Sequence, residues 1–262
     1  MQFPQRHPVD ILPLLPSRAA ANDPMALLAA WRAAGGGVIP APDSIIAAYS
    51  FDIGTTSGDD ITDTTGNGHA LTRTAGTLET TGGRSGGYLK ADATSGDIGA
   101  ECAADDNWFD PDVAGFSISV WARLGASPPD VSTLWDHADQ YGSASLAIRV
   151  DGSVRFHAAQ PTHHSRIVST AAAVVAPSTW HHVCATWAPS DYMRIYVDGV
   201  EEASLNTFAE DLYPFSPDTL IKVGENADGS TPFRGSIDAF RCYGLALTAA
   251  QVAQLAIEFP PV

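Results

Sequence analysis

Three groups of side chains in this sequence have the types and spacing to do chemistry. The run Asp63-Thr-Thr-Gly-Asn67-Gly-His69 sets two side-chain oxygens four residues apart in a tight polar loop. Hard cations such as calcium take oxygen ligands of this kind, completed by carbonyls and a carboxylate from elsewhere. The same run can instead close on itself as an Asx-turn, its carboxylate accepting backbone amides. A second group lies in 127–143, which carries Trp135, Asp136, His137, Asp139, Gln140 and Tyr141, and in 206–218, which adds Tyr213 and Phe215. Aromatic faces beside planar polar side chains recognise sugars, so Trp135, His137, Tyr141 and Tyr213 are the candidate ligand-binding residues. The alternative is that these aromatics pin two long loops to the body of the protein. Histidines form the third group. His181 and His182 open a strand-like run and read as core; His157, His163 and His164 sit by the polar loop HAAQPTHHSR, solvated or in contact with a ligand. No two have a zinc-like local spacing backed by a third ligand.

The elements that must position these groups are strands. FSISVWA (116–122) alternates Phe116, Ile118 and Val120 with Ser117, Ser119 and Trp121. LAIRV-DG-SVRFH and MRIYV-DG-VEEAS each place Asp-Gly between alternating strands, which predicts two hairpins with type I′ turns at Asp151-Gly152 and Asp198-Gly199. Trp121, Trp180 and Trp187 fall in such strands and read as core. Near the end, Thr248 is placed to cap a helix AAQVAQLAI. In front of the strands, residues 1–16 carry Pro4, Pro8, Pro13 and Pro16 among apolar residues, an extended arm. A short helix MALLAAWRAA follows, stopped by Gly35-Gly36-Gly37 and a linker. Residues 1–43 are therefore expected to be an attachment segment, or a strap on the same domain, ahead of a sandwich over 44–262.

Composition narrows the partners. The net charge of −16 comes from 23 Asp and 7 Glu against 12 Arg and 2 Lys, with no basic stripe, which argues against nucleic acid and anionic membrane surfaces. Most Asp sit beside Gly, Thr, Ser or Pro, the composition of turns. Cys102, Cys184 and Cys242 lack metal spacing; the latter two read as small core residues, with one disulfide left open. No stretch is long and apolar enough to span a membrane, and the N-terminus has no secretory h-region.

Four segments in order resemble the laminin-G-like, concanavalin A-like jelly-roll family: AYSFD…ITDTTGNGHALT (48–72), FSISVWARL (116–124), WHHVCATWAPSDYMRIYVDGVEEAS (180–204) and FRGSIDAFRCYGLALTAAQVAQL (233–255). The resemblance implies an all-β antiparallel sandwich over about 44–259. It also implies a structural calcium ion held by the side chains of Asp63, Asn67 and Asp238 and the carbonyl of His69. Glycosidases built on this sandwich carry Glu-x-Asp-x-x-Glu, which brings a carboxyl pair within ~5 Å. No such run occurs: Glu201 and Glu202 are adjacent, and Glu79, Glu101, Glu210, Glu225 and Glu258 are isolated. Neither a Gly-x-Ser-x-Gly elbow nor a phosphate loop is present. The expected function is a non-catalytic module that binds a cell-surface or capsular glycan. It would be displayed on a phage-like virion spike or fibre, assembled in the cytoplasm and released by lysis. Its partner there would be copies of itself or a neighbouring subunit, reached through residues 1–43. A purely structural decoration subunit is the alternative, and a polysaccharide hydrolase the third.

Overall fold

The structure is a computed structural model describing residues 45–258 apart from 53–55, 59, 85, 92–96, 104–114, 129, 139–142, 160–164 and 208–219. Residues 1–43, Tyr141, Tyr213, His163 and His164 lie outside the described residues.

Two antiparallel sheets stack to form the expected sandwich. Numbering strands in chain order, the first sheet runs β15 (Val200–Asn206), β14 (Tyr192–Val197), β13 (Trp180–Trp187), β8 (Phe116–Leu124), β17 (Gly235–Tyr243), β6 (Tyr88–Lys90), β5 (Thr77–Glu79). β1 (Ile45–Tyr49) pairs with the second half of β17, beyond a bulge after Asp238. The second sheet runs β12 (Ser165–Ser169), β11 (Val154–Ala159), β10 (Ser143–Arg149), β9 (Val131–Ala138), β16 (Leu220–Val223), β7 (Gly99–Ala103), β4 (Leu71–Ala75), β3 (Asp60–Ile61), β2 (Thr56–Ser57).

The period-2 alternation of β8 decides which side faces the core. Phe116, Ile118 and Val120 pair across the ladder with Trp187, Ala185 and Val183, and all six are fully buried. Phe116 sits at the centre, 6.2 Å from the Trp187 ring, 5.9 Å from Trp135 and 5.8 Å from Phe156. Burying each such ring stabilises the fold by about 2–3 kcal/mol. The other face of β8 is polar at Ser117 and Ser119. Part of it is covered by α1 (Ala249–Ile257), whose Val252 and Leu255 pack on Cys184, Tyr196 and Tyr243. Thr248 caps this helix in a capping box with Gln251, as expected. All three cysteines are free; Cys184 and Cys242 are buried.

The two Asp-Gly turns differ. Asp198 and Gly199 both have positive φ, 51° and 81°, the type I′ geometry expected of a two-residue hairpin. A Cβ at Gly199 would stand 3.1 Å from the Cα of Ala253 on α1, so close packing as well as the turn calls for glycine. At Asp151-Gly152 only Gly152 has positive φ, 75°. This connection spans four residues, because Asp151 accepts from the Ser153 amide (2.9 Å) and hydroxyl (2.6 Å) and holds the loop open as an Asx-turn.

His181 and His182 are buried, as expected of core residues. His181 joins Asp198 through Nδ1 (2.7 Å) and accepts from the Ala176 amide at Nε2 (3.1 Å). His182 Nε2 meets Ser119 Oγ at 2.9 Å. Trp187 is core, but Trp121 and Trp180 face outward from the first sheet. Trp121 is buried beneath the Arg84 guanidinium, 3.9 Å away, and Trp180 is half-buried.

Candidate functional site

A continuous row of polar side chains crosses the outward face of the second sheet. Cross-strand register pairs Thr72 with Glu101, Glu101 with Lys222, Lys222 with Asp136, Asp136 with Ser145, and Ser145 with His157. Directly paired residues share a face, so six strands from β4 to β11 contribute one polar group each. At about 4.8 Å per strand the row is about 24 Å long. Its neighbours along each strand, Trp135, His137, Ile221 and Val223, point into the core. That alternation puts the polar residues on the outward side of the sheet, where Thr72 is exposed, Glu101, Ser145 and His157 are partly exposed, and Asp136 and Lys222 are nearly buried. Leu220, two residues before Lys222, and Ile167, which pairs with His157, are 44% and 46% exposed and add aliphatic surface beside the row.

The electrostatics centre on Lys222. Its Nζ lies 3.2 Å from Glu101 and 3.1 Å from Glu225, which also accepts from the Thr74 hydroxyl. Burial pushes the Lys222 ammonium down, but the hydrogen bonds it donates to Glu225 and Glu101 outweigh this and hold it above the ordinary lysine range. Asp136 behaves oppositely. It is 7% exposed, and burial pushes its carboxyl up to about 6, against the Ala227 amide that donates to Oδ2 at 2.7 Å; Asp228 adds to the rise and Lys222 opposes it. His157, hydrogen-bonded to Ser165 Oγ at 3.0 Å, is held below the usual histidine range by burial and by Arg155. Near pH 7 the row therefore presents a fixed cation, carboxylates, a neutral imidazole and hydroxyls. Such a set hydrogen-bonds the donor-and-acceptor hydroxyls of a sugar chain.

The expected ligand residues are placed differently. Trp135 and His137 are 0% and 1% exposed. β9 continues to Ala138, so both lie on a strand and not in a loop, and both face the core: Trp135 pairs with Leu146, His137 with Ala144 and Ile221. Neither offers a face to a ligand. Asp136, between them, is the residue that points out. Glu101 and Glu225, read as isolated, converge on Lys222. One signal could have found this face: a lysine inside the apolar run LIKV can only be an outward position of a strand, and its cross-strand partners then share that surface.

The expected calcium ligands do not form one site. Asp63 Oδ1 accepts from the amides of Ala48 (3.1 Å) and Thr65 (3.0 Å), Oδ2 from the His69 amide (3.3 Å), and the Thr65 hydroxyl reaches both. Asn67 donates to the carbonyls of Ile45 and Ile46, and the His69 carbonyl accepts from Tyr49 Oη at 2.6 Å. Asp238 is fully buried in another network, accepting from the Arg84 and Ala239 amides. Among the described residues no group of three or more His, Cys, Asp or Glu could hold a metal ion. The donors around Asp63 saturate its carboxylate, so these residues do not fit a calcium cage. They fit the Asx-turn, which ties the 63–69 loop to β1.

No helix among the described residues is long and apolar enough to cross a membrane. No curated protein sequence matches this chain. Among solved structures it is similar to domain 4 of AbnA, a GH43 extracellular arabinanase from Geobacillus stearothermophilus, in complex with arabinotriose. Identity is 25% and the TM-score 0.62, covering 81% of this chain and 98% of that one. It is also similar to the binding domain of Paraclostridial Mosquitocidal Protein 1, with 18% identity and TM-score 0.64, covering 82% of this chain and 52% of that one. The receptor-binding domain of botulinum neurotoxin C/D mosaic serotype matches at 17% identity and TM-score 0.61, covering 82% and 51%. The chain spans about half the length of these two toxin domains, and their likeness is one of fold alone. The laminin-G-type family model matches residues 94–253, more than half of the chain, and with the two-sheet antiparallel sandwich it makes this protein a member of the concanavalin A-like lectin/glucanases superfamily.

Proposed function

We propose that this protein is a non-catalytic glycan-binding module whose binding surface is the polar row on the second sheet. The observation that carries the reading is the unbroken register from Thr72 to His157, which lines six strands with hydrogen-bonding groups beside exposed Leu220 and Ile167. The arabinotriose-bound domain of AbnA supports sugar as the ligand class. Binding is favoured over hydrolysis because Lys222 stands between Asp136 and Glu101. A glycosidase pair leaves room there for the glycosidic oxygen and a water, whereas here an ammonium fills it, 3.2 Å from Glu101. The finer reading is display on the outside of a phage-like particle, with the apolar, proline-rich segment 1–43 as attachment.

Titration of the full-length chain with arabinan oligosaccharides and a panel of capsular glycans tests the reading. Lys222→Met should weaken binding at least tenfold while leaving the far-ultraviolet circular dichroism unchanged. A variant that binds as tightly as the parent, or a parent that binds no glycan, would reject it.

A further inference from the structure

A second concentration of polar groups lies at one end of the first sheet. There the ends of β8, β17 and β6 and the segment leading into β13 border a shallow, solvent-open cavity of about 460 Å³, a volume within the range of about 300–1,000 Å³ usual for small-ligand sites. Lys90, Arg123 and Arg234 line it, with the hydroxyl residues Ser127, Ser178 and Ser236. The chain has 14 Lys and Arg against 30 Asp and Glu, yet this lining holds three cations and no carboxylate. The two acids nearest the cations stand outside the lining: Glu79 is 3.1 Å from Lys90, and Asp97 is 3.5 Å from Arg234. The cavity is therefore a local positive spot on a strongly acidic protein.

Arg123 is held differently from its two neighbours. Among the described residues no carboxylate pairs with it. Its guanidinium lies 4.9 Å from the Trp180 ring and 5.2 Å from the Tyr88 ring, and one of its nitrogens donates to Ser236 Oγ at 3.1 Å. The two rings meet edge to face at 5.7 Å. Aromatic faces stabilise a cation without consuming its N–H donors, so Arg123 is fixed in direction yet keeps donors for a forked contact with an anion. Trp180, which faces outward from the first sheet, is one of the two rings that brace the arginine.

We infer that this cavity is a subsite for an anionic sugar residue, carboxylated or sulfated. The assignment rests on the glycan-binding reading above and names the acidic component of the ligand. The guanidinium of Arg123 takes the anionic group, Lys90 and Arg234 complement its charge from the rim, and the serine hydroxyls meet the ring hydroxyls. A net charge of −16 repels polyanions at a distance, so the site selects short or sparsely charged glycans over densely charged polymers.

Isothermal titration of the full-length chain with four probes tests this: hexagalacturonate, its neutral methyl ester, a chondroitin sulfate hexasaccharide and its unsulfated counterpart. The acid form, the sulfated form or both should bind about tenfold tighter than the matched control at low salt, an advantage that shrinks as salt screens it. Comparing the two pairs identifies the anionic group. Side chains of Lys90 and Arg234 are each 48% exposed, so Lys90→Gln and Arg234→Gln should preserve the fold. Each should weaken the anionic probe about fivefold and leave neutral-glycan binding, which depends on Lys222, unchanged. Equal binding within both matched pairs, or full anion affinity in both variants, overturns the inference while the glycan-binding reading stands. Absence of binding to every glycan overturns both.

Discussion

Asp136→Asn should make the protein more stable and a poorer glycan binder. In the folded protein burial raises the Asp136 carboxyl to about 6, two units above the ordinary value of about 4. The folded state therefore binds more protons than the unfolded chain between about pH 4 and pH 6, and the wild-type protein loses stability as pH climbs through that window. At about 1.36 kcal/mol per unit the loss at pH 7.5 is about 3 kcal/mol. An asparagine does not titrate and keeps a carbonyl oxygen for the Ala227 amide, 2.7 Å away. Exchanging a charged acceptor for a neutral one there costs about 1 kcal/mol, which leaves a net gain of about 2 kcal/mol at pH 7.5 and none at pH 4. Urea unfolding of both proteins at the two pH values measures the difference. A gain of the same size at pH 4, or a loss at pH 7.5, would refute the burial argument. Glycan titration of the same variant gives the second half: loss of the carboxylate from the row should weaken binding, and unchanged affinity would remove Asp136 from the site.

Two further predictions concern the rest of the molecule. His182 is wholly buried and held down to about 4, so its neutral form contributes about 3 kcal/mol above pH 6.5 that is lost as pH falls to 4; His182→Gln should flatten that acid limb, and an unchanged limb would show the titration lies elsewhere. Because the Asp63 carboxylate is saturated by amide and hydroxyl donors, millimolar calcium should leave the melting temperature of chelator-treated protein unchanged, and a rise of several degrees would restore the metal site.

The sandwich was legible because its signals are local. Alternation in 116–122, the Asp198-Gly199 turn and the Thr248 cap each depend on a few adjacent residues, and each is present as read. The site was not legible, because it is assembled by register. Glu101, Asp136 and Lys222 are far apart in sequence and meet only through the order β7-β16-β9. The error over Trp135 has the same origin. A tryptophan, an aspartate and a histidine in a row look like a sugar-binding loop by composition, but in a strand the period of two sends the first and third inward. The 63–69 loop misled in another way: its residues are those of a metal loop and of an Asx-turn alike, and only the donors around Asp63 separate the two.

The two polar surfaces differ in the way they hold charge, and that difference bears on what each can do. On the second sheet Lys222 is bracketed by carboxylates that outnumber it, so the row offers no free positive charge and its strength lies in directed hydrogen bonds. Lys222 is nearly buried, and a buried cation that fixes two acceptors sets their geometry for an incoming hydroxyl. At the end of the first sheet the logic is reversed. Arg123 is braced by rings instead of by acids, so its charge is left for a ligand. A neutral stretch of glycan would gain most from the row, and an acidic residue most from the cavity. Substitutions at Lys222 and at Arg234 should therefore divide the affinity of a mixed glycan into two independent parts, additive because the residues share no partner. Coupling between them would mean that one surface, not two, holds the ligand.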